Sequence, residues 1–71
     1  MTRNSDKFPD LVKEVRKQLR ISQEALAHEL GVSFATINRW ENGKTTPFKL
    51  ARAQFDAFCR KMVAAKKLRL P

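Results

Sequence analysis

Few side chains in this 71-residue sequence combine a reactive type with a useful spacing, and they fall into two groups. The first group suggests metal or thiol chemistry. His28 lies four residues after Glu24, so a helix would carry both on one face. The chain has one histidine and one cysteine, too few for a four-ligand zinc site. Cys59, beside Phe55 and Phe58, reads as a small apolar residue rather than a reactive thiol. A lone cysteine makes no internal disulfide and fits a reducing compartment. No nucleophile is spaced to meet a base, and two glycines make no phosphate-cradling loop. The sequence therefore speaks against an enzyme, and neither cofactor nor metal is expected. The second group is Asn38 and Arg39. An arginine forks onto guanine O6 and N7, and an asparagine onto adenine N6 and N7. Such side chains recognise bases where a helix presents them outward.

The charge balance points the same way. Fifteen Lys and Arg face seven Asp and Glu, a net of +8. From residue 43 to 71 there are eight basic residues and one acidic residue, Asp56. Such a bias exceeds what solubility requires and implies a polyanionic partner, nucleic acid before anionic membrane. No apolar run approaches the ~20 residues of a membrane span, and residues 1–10 lack the apolar core of a secretory signal. A cytoplasmic protein with no membrane partner is expected.

Helices must position these residues, because no useful strand alternation occurs. Pro9 and Asp10 open a helix predicted over 9–20, with Leu11, Val12, Val15 and Leu19 at helical spacing. Ser22 is a good cap for a helix over 23–30, and Gly31 a natural stop. Ser33 caps a third helix over 34–42, which Asn42-Gly43 ends. Thr46-Pro47 is expected to open a last helix, with Phe48, Ala51, Phe55, Phe58 and Met62 as its apolar stripe. Whether it runs unbroken to Met62 is open. Residues 1–7 are expected to form a flexible arm, 8–62 the folded domain and 63–71 a basic tail of undetermined order.

Only Gly31, Val32 and Ser33 separate the second and third helices, so the two must cross steeply, as in a helix-turn-helix. Ala25 and Ala27 permit close approach. Ile37 and Trp40 anchor the back of the third helix, which leaves Phe34, Ala35, Asn38 and Arg39 toward the outside.

Residues 11–58 resemble the lambda-repressor/Cro-like, or XRE, family. The resemblance rests on Ser22-Gln23-Glu24, Leu26-Ala27, Leu30-Gly31-Val32-Ser33, Thr36-Ile37 and Trp40-Glu41-Asn42-Gly43-Lys44. It implies a compact all-α domain of four to five helices that binds duplex DNA, usually as a two-fold dimer at an operator. It implies that Phe34, Ala35 and Arg39 face base edges, and Asn38, turned to the same side, is a further candidate reader. It gives Gln23, Thr36, Asn42, Lys44 and Thr45 to phosphates, has Gln23 also buttress the third helix, and pairs Arg16 with Glu41. Phe34 stands where many relatives carry Gln, Arg or Ser, and with Ala35 is limited to contacts such as a thymine methyl. Hydrogen-bond readout then rests on Arg39 and Asn38.

Plainer roles stand beside these. Gln23 and Asn38 also suit solvated positions, Phe34 a core position, and Arg39 a phosphate contact that positions without specifying. The function expected is transcriptional regulation, most simply repression by a dimer on a palindromic operator. The alternative is a protein-interaction module, antitoxin-like or enzyme-docking, for which the Phe48/Phe55/Phe58/Met62 stripe would serve. Binding of RNA or anionic membrane by the basic C-terminus is a third reading, weakened by the absence of stacked exposed aromatics.

Overall fold

Two serines and two glycines set out the middle of the molecule. A computed structural model describes residues 7–70 and contains four helices: α1 (Lys7–Leu19), α2 (Gln23–Leu30), α3 (Phe34–Glu41) and α4 (Lys49–Ala64). Ser22 and Ser33 take extended backbone before α2 and α3, and their hydroxyls accept the N–H groups of Ala25 (3.0 Å) and Thr36 (3.1 Å). Each removes one orphan donor from a helix start. The bounds of α2 match the sequence expectation, and α3 stops one residue sooner, at Glu41, with Asn42 as its cap.

All four helices end alike. The chain enters the left-handed region at Arg20 (φ 57°), Gly31 (72°), Gly43 (70°) and Lys66 (62°). In each case that residue's N–H returns to a carbonyl three positions back, and the next N–H to one five back. This paired pattern satisfies the last carbonyls of a helix. At Arg20 and Lys66 it costs an L-residue strain that glycine escapes. Lys66→Gly is therefore expected to stabilise the protein, by up to about 1 kcal/mol after the entropy cost of glycine. A melting temperature unchanged or lowered in that variant would contradict this.

Other boundaries also differ from expectation. α1 begins at Lys7, with Pro9 still in its first turn, and stops at Leu19 because Arg20 turns left-handed. The expected arm over 1–7 lies outside the described residues apart from Lys7. α4 starts at Lys49 rather than at Pro47; Thr45 to Phe48 are irregular, and Phe48 is the cap, without a side-chain bond. That shift takes Phe48 out of the apolar stripe and leaves it 85% exposed. α4 then runs unbroken to Ala64.

The core joins every helix. Val12 and Val15 of α1, Leu26, Ala27 and Leu30 of α2, Ile37 and Trp40 of α3, and Phe55 and Cys59 of α4 are all buried. Phe8, Trp40 and Phe55 form an edge-to-face trio, with centroids 5.3 to 6.4 Å apart. The Arg52 guanidinium lies 4.7 Å over the Phe8 ring. Beyond α4 the chain folds back, and Leu68 is buried in the same core. Gln18 of α1 pins this segment by accepting the Arg69 N–H (2.8 Å) and donating to the Arg69 carbonyl (2.9 Å).

Candidate nucleic-acid interface

α3 shows two faces. Ile37 and Trp40 are buried against α1 and α2, and Phe34, Ala35 and Arg39 are exposed on the other side. Phe34 is half exposed, so its ring is not folded into the core. The outward placement follows from spacing: anchoring positions 37 and 40 turns 34, 35 and 39 away. Among the residues expected at phosphates, Asn42, Lys44 and Thr45 are exposed beyond the end of α3, and Gln23 and Thr36 are half-buried. The Thr36 hydroxyl is 2.9 Å from the Ser33 hydroxyl, so it belongs to the start of α3 as well.

Behind this surface runs a chain of polar side chains. Arg16 donates from Nε (2.5 Å) and Nη2 (2.9 Å) to the two carboxylate oxygens of Glu41, and from Nη1 to the Ile21 carbonyl (3.1 Å). Gln23 Nε2 donates to the same carboxylate (3.0 Å). Asn38 Nδ2 donates to Gln23 Oε1 (3.3 Å), and Asn42 Nδ2 to Asn38 Oδ1 (3.0 Å). The chain ties α1, α2, α3 and the following loop together. The expected Arg16–Glu41 pair is its inner end. Beyond that pair Gln23 bears on α3 through Asn38, and Asn38 and Asn42 stand at the i, i+4 spacing that lets helix side chains meet.

Glu41 is the charge the chain is built on. Burial pushes its carboxyl up, but hydrogen bonds from Arg16 and Gln23 and the charges of Arg16 and Lys13 outweigh that and hold it below the usual carboxylate range. The hydrogen bond to Glu41 raises the Arg16 guanidinium in turn, against the opposing effect of burial. Both groups stay ionised at neutral pH, so the pair orients the helices and takes no part in proton transfer.

A shallow groove beside α3 brings Thr36, Arg39 and Thr45 together with Val32, Trp40, Pro47, Phe48 and Ala51. Phe34, Ala35 and Lys44 lie outside it. His28 and Glu24 are exposed, and no group of three potential metal ligands occurs among the described residues. Cys59 is buried, and desolvation, helped by the charge of Asp56, pushes its thiol up to about 11. It is a packing residue, since the thiolate is the reactive form.

A family model described as helix-turn-helix matches residues 12–53. No curated protein and no solved structure matches the chain.

Proposed function

The chain belongs to the lambda-repressor/Cro-like, or XRE, helix-turn-helix family, and from that membership we propose that it regulates transcription by binding specific sites on duplex DNA, as a repressor whose dimer occupies a palindromic operator. The family is one of DNA-binding regulators rather than of enzymes. Among the described residues no helix is long and apolar enough to cross a membrane. A cytoplasmic location is part of the same proposal.

The observation that carries the reading is the outward row of Phe34, Ala35 and Arg39 on a helix whose opposite side is clamped by Ile37 and Trp40. In this reading α3 enters the major groove and α2 crosses the backbone. Arg39 forks onto a guanine, and Phe34 and Ala35 meet thymine methyls. Gln23, Thr36, Asn42, Lys44 and Thr45 meet phosphates, which position the helix. The net charge of +8 makes counterion release a large share of affinity, so binding weakens steeply with salt.

Selection of sites from random duplex DNA near physiological salt tests this. A two-fold motif with a guanine at a fixed place, in half-sites about one helical turn apart, is expected. Weak, salt-sensitive binding to every duplex alike would refute specific regulation. With a motif in hand, Arg39→Ala is expected to cost about 1–3 kcal/mol and to relax preference at one base pair; an unchanged motif would move Arg39 to the phosphates.

Phe48 and Leu50, 85% and 74% exposed, favour a second and compatible reading as a protein-interaction module. Solitary exposed apolar residues are ordinary, but Phe48 also lines the groove beside α3. Light scattering alone and after addition of operator DNA separates a self-associating chain from one that needs another protein.

A further inference from the structure

We infer that Asn38 is a positioning residue: it holds the side-chain amides of Gln23 and Asn42 in register for gripping DNA phosphates and does not itself read a base. The inference rests on the DNA-binding reading and deepens it. Although Asn38 sits on α3 among the expected readers, it is half-buried where Phe34, Ala35 and Arg39 are exposed. Both ends of its amide are engaged, Nδ2 with Gln23 Oε1 at 3.3 Å and Oδ1 with Asn42 Nδ2 at 3.0 Å. The amide keeps one spare hydrogen and one spare lone pair, but these two bonds fix its plane, whereas a forked contact to adenine requires the base to set that plane.

The direction of the bonds gives the chain its purpose. Asn42 donates to Asn38, Asn38 to Gln23 and Gln23 to Glu41, so every amide points its N–H toward one buried carboxylate. Donation in a single sense lets each bond polarise the next. The Glu41 charge thereby selects which way each amide faces. An amide nitrogen carries two hydrogens, and Gln23 and Asn42 each spend one inside the chain. The remaining N–H of each is left for an outside acceptor. Gln23 sits at the first turn of α2, where backbone N–H groups also favour anions. Asn42 follows the end of α3. Among the described residues Asn38 is the one side chain that joins them.

The test compares the selected site with a scrambled duplex. Asn38→Ala is expected to weaken binding to both by the same factor, about five- to tenfold, with base preference intact. In a double-mutant cycle Asn42→Ala, an exposed change that the fold tolerates, should cost much less once Asn38 is gone. In the DNA-free protein the Gln23 and Asn42 side-chain amide NMR signals should shift in Asn38→Ala. Loss confined to the selected site, with relaxed preference at one base pair, would overturn the assignment in favour of base reading. Additive costs with unmoved amide signals would overturn it too. If the wild-type protein bound no duplex at all, the regulatory reading would fall, and the amide signals would still decide whether Asn38 sets its neighbours.

Discussion

Truncating Phe55 to alanine is expected to destabilise the protein by about 4 kcal/mol. Phe55 is fully buried and makes edge-to-face contacts with both Phe8 and Trp40. Its removal leaves a void that α1 and α3 border and that neither fills without giving up its own contacts. A chain of this length has a total stability of about 4–11 kcal/mol, so one ring carries much of the margin. Urea unfolding at neutral pH measures the loss. Phe55→Leu, which keeps most of the volume, should lose less than half as much. A cost below about 1 kcal/mol for alanine would mean that the aromatic trio collapses freely, unlike well-packed cores.

Arg16→Ala is expected to cost about 3 kcal/mol, near the low end for a broken buried pair because Arg16 itself is 25% exposed. The damage comes from what stays behind. Glu41 is only 5% exposed and would keep Gln23 as its sole side-chain donor among the described residues. The pH dependence then changes sign. In the wild-type protein the folded Glu41 carboxyl lies below its unfolded value, so its contribution is present above the ordinary carboxylate range and is lost as acid protonates the folded state. Without Arg16, burial is the largest remaining influence on the carboxyl, and the folded carboxyl is expected to rise above its unfolded value. The variant should therefore recover stability relative to wild type between about pH 7 and pH 4. Unfolding curves across that range check it, and a deficit constant with pH would show that the pair does not carry the charge of Glu41. Since the amide chain ends on Glu41, Arg16→Ala should also weaken DNA binding at pH values where it remains folded.

The sequence made α2, its turn and α3 readable because Ser22, Gly31 and Ser33 each have a local reason to stand where they do. Placing Phe34, Ala35 and Arg39 outward needed only the inward anchors Ile37 and Trp40; the same reasoning put Asn38 outward, and it is half-buried. The ends of α1 and α4 were harder to read, because Arg20 and Lys66 adopt the backbone that usually announces itself with glycine. Pro47 misled in the opposite direction: it suits a first helical turn, yet sits in the irregular stretch before α4. Burial of Leu68 depends on the chain reversing after α4, and no local pattern dictates that reversal. From the residues alone the amide chain was hidden for the same reason. Gln23 and Asn38 are 15 residues apart and meet only because α2 crosses α3.

The returning segment after α4 bears on how this molecule can be cut or grafted. The stretch that matches the family model ends at residue 53. An excerpt with those limits would keep the reading helix and discard Phe8, Phe55, Cys59 and Leu68, and with them one wall of the interior. Even a cut at Ala64 would uncork the space that Leu68 fills and leave Gln18 without its backbone partner. The transplantable unit is thus longer than the recognisable one. A chimera that borrows this DNA-reading surface needs its junction beyond Leu70, where a fusion adds chain without removing a stopper.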